Sequence, residues 1–319
     1  MWTYISRRLI QALFILLIIT GVCFLLTHYS ADPMSQYANK QGMTAADRAA
    51  IAHSLGLDQP LPVQYVKWLW LALHGNLGNS FFSRQPVLTL IRQRLPLTLI
   101  LMVTAEIFII IISLILGTVS AVKQYSAIDN IITSFSFIGY SMPIFFIAFA
   151  GIQIFAVQFK AWGLPYLPTG ADIWNPKNLG ALIRHLVLPV SCLVIIQVAG
   201  YSRFLRSSIL EVLGLDYVRT ARAKGLSERT MLLKHALRNA ALPFITIIGL
   251  DIPFLLGGAL VTESVFAWPG MGRLFWEYAQ RGDFPVVNGV LLLTGSAVVF
   301  FTIIVDVLYT FVDPRIRLS

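Results

Sequence analysis

Residues Leu210–Pro243 read LEVLGLDYVRTARAKGLSERTMLLKHALRNAALP, a long polar run set between two strongly apolar segments. Its grammar is helical. Leu213, Tyr217 and Ala221 recur every four residues on one face, and Gly225 suits the left-handed position just past a helix end. Ser227 stands where it can cap a second helix, with Glu228 in the first turn, where the helix dipole favours an acid. Pro243 falls where a further helix can begin without its N–H. The stretch therefore predicts two short helices, hinged at Gly225 and fixed between two membrane spans.

Composition agrees with that setting. The chain of 319 residues is 57% hydrophobic, with a mean hydropathy of +0.74. Charged residues make up 12%, about half the usual share. This is the composition of an all-α polytopic membrane protein. The formal charge of +9 matches basic cytoplasmic loops, and no nucleic-acid reading module accompanies it, so no nucleic-acid partner is expected. Cys23 and Cys192 both fall inside apolar runs and read as small core residues rather than metal ligands or a disulfide framework.

Taken in order, Arg7 and Arg8 precede an apolar run from Leu9 to Thr27 with no cleavage site after it, an uncleaved first span. Residues 28–95 form an external insert. In it Thr44 and Asp47 open a helix over Ala45–Leu55, closed by Gly56. Turns follow, mixed with the boundary aromatics Trp68 and Trp70. Pro86 then starts a short amphipathic helix lying flat on the surface, and Pro96 starts the next span. Apolar runs at Leu97–Val122, Ile131–Phe159, Leu186–Phe204, Ala241–Val261 and Val286–Val312 bring the expected total to six transmembrane helices. Eight Lys and Arg lie between Arg203 and Arg238, which puts that loop, and with it both termini, in the cytoplasm.

The chain lacks the usual marks of chemistry. It has no Gly-Lys dipeptide and hence no phosphate-cradling P-loop, no His-x-x-x-His pair and no Gly-x-Ser-x-Gly elbow. It reads as a non-enzyme that binds no cofactor, and energy for work must come from other chains. Glu106, Asp251 and Asp306 are ionisable within apolar runs. Two readings stand for each: lining a translocation path, or pairing between helices. Asp251 draws the path reading most, being close to Pro253, Gly257 and Gly258, which can open backbone to a cavity or let helices pack closely. Pro143 is expected to kink the third span, beside the path. Trp268 and Arg273 in the last external loop are candidates for meeting an external partner, an interfacial anchor being the other reading of Trp268.

DYVRTARAKGLSERTMLLKHALRNAALP resembles the cytoplasmic loop of permease subunits of bacterial ATP-binding-cassette importers, in particular the B-type subunit of the dipeptide, oligopeptide and nickel class. In that superfamily the loop opens Glu-Ala-Ala with a glycine four residues after the second Ala. Ala221 and Gly225 hold those places here, while Arg219 and Thr220 replace the Glu and the first Ala. LGLDQPLPVQY, RLPLTL, SMPIFFIAF, WGLPYLPTG, TESVFAWPGMGRL with DFPVVNGV, and VDVLYTFVDPRIRL resemble further tracts of the family in the same order.

The resemblance implies a type I importer permease fold. Residues 1–95 would be the first helix and insert, 96–312 the transport domain with its coupling loop at 205–240, and 313–319 a cytoplasmic tail. It implies a multi-pass subunit of the bacterial inner membrane that moves di- or oligopeptides. A homologous second permease, two ATP-binding subunits carrying ATP and Mg, and an extracytoplasmic solute-binding protein would be its partners, with lipid around them. Asp216, Tyr217, Arg219, Ala221, Gly225 and Leu226 would contact the ATPase. Trp268 and Arg273 would face the binding protein. An ion-coupled secondary transporter or channel, working through the buried acids, is the alternative from another class.

Overall fold

The computed structural model describes residues 2–30, 44–54, 58–170, 179–251 and 259–312. Their regular elements are helices: α1 (Trp2–Ser30), α2 (Ala45–Ser54), α3 (Leu61–Leu73), α4 (Val87–Val122), α5 (Ala127–Ser141), α6 (Ile144–Ala161), α7 (Leu179–Leu213), α8 (Asp216–Ala223), α9 (residues 228–251), α10 (Leu260–Val265), α11 (Met271–Gln280) and α12 (Phe284–Val312). Five of them, α1, α4, α6, α7 and α12, are long and apolar enough to cross a membrane. α9 covers the first part of the expected fifth span, Ala241–Val261, and runs to Asp251. Residues 252–258, with Pro253, Gly257 and Gly258, lie outside the described residues, as do Gly56 and the side chain of Asp306.

The long pair α4 and α7 forms the spine. α4 has 36 residues, and at about 1.5 Å each it extends roughly 54 Å, well beyond a hydrocarbon core of about 30 Å. Lipid rewards no helix for meeting another through apolar surface alone, so close approach must come from small residues and dispersion. Gly117 of α4 supplies it, because a Cβ there would stand 2.9 Å from the Ser202 carbonyl oxygen and 3.0 Å from Leu205 Cβ on α7. Gly139 of α5 is similarly close to α7, at 3.1 Å from the Ile195 carbonyl oxygen. α1 leans on α12 where Ile19 meets Gly295, and α9 meets α12 where Gly249 abuts Val305.

Several expectations are corrected. No surface helix separates Pro86 from Pro96. Pro86 precedes the first turn of α4 and Pro96 lies inside it, so the division expected at residue 95 falls within one helix. Val87, Leu90 and Ile91 are buried against Met271, Leu274 and Val286, which draws this turn into the bundle. The stretch expected as turns around Trp68 is the helix α3, with Pro62 in its first turn, held to α1 by a hydrogen bond between Tyr65 Oη and Thr20 Oγ1 at 2.8 Å. The expected span Ile131–Phe159 is two helices. α5 stops at Ser141, Met142 is extended, and Pro143 caps α6 instead of kinking it. Proline biases the residue before it away from helical geometry, which explains the break. Pro243 opens no helix and sits inside α9, which passes through a π-helical stretch at Met231–Ala236.

Substituting Gly117→Val should push α4 from α7 and lower stability by about 1–3 kcal/mol, as overpacking does. Gly200→Ala, with nothing within 4 Å of its new methyl, should leave the melting temperature in detergent unchanged or slightly higher. Equal melting of the two variants would show that the α4–α7 approach does not hold the bundle.

Candidate functional site

The polar stretch folds into α8 and the start of α9, and its local chemistry explains the shape. Gly214 and Leu215 end α7, and Asp216 stands in the first turn of α8. At the far end Leu226 N–H donates to the Ala221 carbonyl (3.3 Å) and Gly225 N–H to the Arg222 carbonyl (3.0 Å). This is a Schellman closure, and it requires the left-handed backbone that Gly225 adopts at φ +81°. Ser227 Oγ then accepts from Thr230 N–H and starts α9. The Arg222 guanidinium reaches across the turn to Glu228 through Nε–Oε1 (2.7 Å) and Nη2–Oε2 (3.2 Å). That pair is exposed and adds little stability by itself, but its fork fixes one helix against the other.

What docks α8 on the bundle is Val218, fully buried with Met231 and Ala236 of α9 and packed by Val212 and Leu213 at the end of α7. The inward face of α8 is therefore centred on Val218. Tyr217 is a second tie, its hydroxyl accepting from Asn239 Nδ2 at 2.9 Å. The outward side carries Asp216, its side chain 97% exposed, and Arg219, 71% exposed, in a loose pair at 3.6 Å. Nothing lies within 4 Å of a Cβ built on Gly225. The hinge thus presents a charged helix and an open turn, set rigidly at one end of the bundle.

Beside it, Asp129 of α5 is 2% exposed. Its carboxylate accepts from Arg206 Nε (2.9 Å) and Nη2 (2.8 Å) of α7, from Tyr125 N–H (2.9 Å), and from Ser120 Oγ. The guanidinium, foremost among these partners, holds the carboxyl well below the usual carboxylate range. Neither residue of this pair was singled out from sequence. The Ser126-x-x-Asp129 cap was legible, but a partner 77 residues away was not.

Deeper in the bundle, Asp251 of α9 accepts from Gln197 Nε2 (2.9 Å) and from the Tyr201 hydroxyl, both on α7. Glu106 of α4 faces the same group, within electrostatic reach of Asp251 and Tyr201. Its Oε1 is enclosed, with no hydrogen-bond partner among the described residues. Two of the three acids singled out from sequence, Glu106 and Asp251, are thus brought together, while Pro143 stands apart at the head of α6.

The loop between α10 and α11 sets Trp268 inside the protein. Trp268 has no exposed surface, and its Nε1–H donates to the Leu97 carbonyl at 3.0 Å, so its ring braces the loop from inside rather than standing at its surface. Arg273 is half-buried, its guanidinium held by Glu277 (2.6 Å) and the Ala267 carbonyl (2.5 Å). Beneath them the fully buried Glu263 accepts from Thr98 Oγ1 (2.8 Å) and Arg273 N–H (3.0 Å), packed so tightly that Gly270 leaves no room for a Cβ. Sequence gave no local sign of the contact between Glu263 and Thr98, which are 165 residues apart.

The described residues thus form a helical membrane bundle that ends in an exposed helix-turn. Comparison with known proteins identifies the class. Residues 110–318 match the family of binding-protein-dependent transport system inner membrane components, and residues 1–102 match the N-terminal model of such membrane components. The chain is 41% identical over 321 residues to the oligopeptide transport system permease protein AppB of Bacillus subtilis, covering 99% of this chain and all of that one. It is 37% identical over 339 residues to the dipeptide transport system permease protein DppB of Escherichia coli K12, covering 99% of both chains. A solved amino acid ABC transporter with histidines superposes with a TM-score of 0.50 at 14% identity, covering 70% of this chain and 94% of that one, a likeness of fold. The chain belongs to the inner-membrane permease subunits of binding-protein-dependent, ATP-binding-cassette importers, and carries no catalytic domain of its own.

Replacing Val218 by Asp should undock α8 from Met231 and Ala236 and expose Arg219 and Arg222 to cleavage. Limited trypsin digestion of the purified protein would then nick this loop about tenfold faster than in the wild type, since local opening governs such cutting. Unchanged cleavage would mean that α8 is held by something other than this pocket.

Proposed function

We propose that this chain is one half of the membrane channel of a di- or oligopeptide importer, and that residues 216–226 are where an ATP-binding subunit seats. The observation that carries this reading is the exposed α8, locked by the Schellman turn at Gly225 and bolted to the bundle through Val218. A mere topology signal needs basic charge but no such rigid pair of helices. Asp216, Tyr217, Arg219, Ala221, Gly225 and Leu226 form the coupling surface. The small Ala221 and Gly225 allow close approach of a groove, and the Arg219 fork pairs with acids on its rim.

In this reading the chain pairs with a homologous permease, and two ATPases carry the ATP and Mg. A solute-binding protein delivers substrate from outside, with Arg273 near its seat. Both termini are cytoplasmic. ATPase closure turns the permeases from inward-facing to outward-facing, and the Glu106–Asp251 cluster borders the path. Peptide is the cargo favoured by the names of AppB and DppB.

The test is uptake of a labelled dipeptide, a pentapeptide and Ni²⁺ into vesicles holding the complete transporter with its binding protein. Peptide uptake should vanish without ATP. Gly225→Trp should still assemble but lose most ATP-driven uptake, while Gly225→Asn, which tolerates the left-handed backbone, should retain it. Uptake that follows a proton gradient and ignores ATP would shift the mechanism to the buried acids and sink this reading.

A further inference from the structure

The ATPase seat is at one end of α7, yet the break in the transmembrane path lies between α5 and α6, at Met142–Pro143. Three contacts, spread along α5, join it to α7. At its first turn Asp129 receives the bidentate fork of Arg206. Three residues before Arg206 on α7, the guanidinium of Arg203 stands 5.0 Å from the ring centres of both Phe137 and Tyr140, a cation–π cage. Nearer the break, Gly139 lets the α5 backbone close on the Ile195 carbonyl. α6, by contrast, is packed with the outer part of the molecule, where Ala148 joins Leu188, Cys192 and Phe266. So α5 is lashed to the half of α7 that ends in the coupling helix, and α6 to the half that faces the external loop.

We propose that Asp129 and Arg206 are positioning residues for coupled transport: their ion pair makes α5 a rigid arm that carries displacement of α8 to the Met142–Pro143 break. The inference rests on residues 216–226 being the ATPase seat. Distance alone does not carry it. What carries it is that Asp129 is buried and doubly hydrogen-bonded by an Arg206 side chain only 25% exposed, with the carboxylate also accepting from Tyr125 N–H and Ser120, so that the pair has one geometry rather than many. A buried pair is weak evidence for stability, but it fixes register between the elements that it joins. Without it, α7 is free to slide past α5, and movement of the ATPases is spent before it reaches the break.

The complete transporter in vesicles, with its ATPases and binding protein, supplies the test. Wild type, Asp129→Asn and Arg206→Lys are compared for ATP hydrolysed per peptide imported. Asn keeps the shape of Asp129 without its charge, and Lys keeps the charge of Arg206 without its fork. Each should raise the ATP cost per peptide at least about fivefold, the usual floor of a coupling energy, with binding-protein-stimulated hydrolysis largely retained. A purely structural pair would lower uptake and hydrolysis together and leave the ratio unchanged, which overturns the proposal, as does wild-type behaviour in both variants. If Asp129→Asn fails to assemble, the ratio in Arg206→Lys decides alone. Wild-type uptake indifferent to ATP would instead overturn the ATPase seat itself, an outcome visible before any variant is read.

Discussion

The structure depends on how closely α4 and α7 approach. In water, burial of apolar surface would draw them together at about 25 cal/mol per Å², but between lipid-facing helices that drive is absent. The contact rests instead on Gly117 lying against the Ser202 carbonyl and Leu205. Once that spine exists, α7 becomes the surface on which the other parts are placed. α5 comes down on it through Gly139, and α9 through Tyr201 and Asp251. The helix pair at α8 and the start of α9 then docks on its last turn through Leu213 and Val212.

Polar groups inside the bundle follow the same logic, because every one must find its partner within the protein. Asp129, Asp251 and Glu263 each accept from donors on a second or third helix, so that each carboxylate also staples elements far apart in sequence. Glu106 differs, with one oxygen enclosed and unpaired among the described residues. Three of these four acids are therefore held by donors across helices, and Glu106 faces one of them, Asp251.

Local rules carried much of this. The cap at Ser227, the left-handed turn at Gly225 and the start of α2 at Thr44–Asp47 were legible because each is settled by residues within one turn. The prolines misled, since Pro96 and Pro243 lie inside helices whose neighbours compensate, whereas Pro143 ends one. Only tertiary packing separates those outcomes. Val218 was not singled out for the same reason: the direction from which α9 returns decides which face of α8 is inward. Trp268 was read as a surface residue from its loop composition, and the enclosing fold reverses that.

The central claim is that α8 is a preformed seat for an ATP-binding subunit, and a single-cysteine cross-linking experiment tests it most directly. Cys23 and Cys192 are both buried, so a cysteine placed at Ala221 reports with little background. In the assembled transporter it should cross-link to the ATPase subunit, with a yield that changes when ATP is bound. A cysteine at Thr169, in the loop after α6, should give no such product. An assembled, peptide-importing complex in which the Ala221→Cys variant never reaches the ATPase, or reaches it no better than Thr169→Cys, would contradict the account.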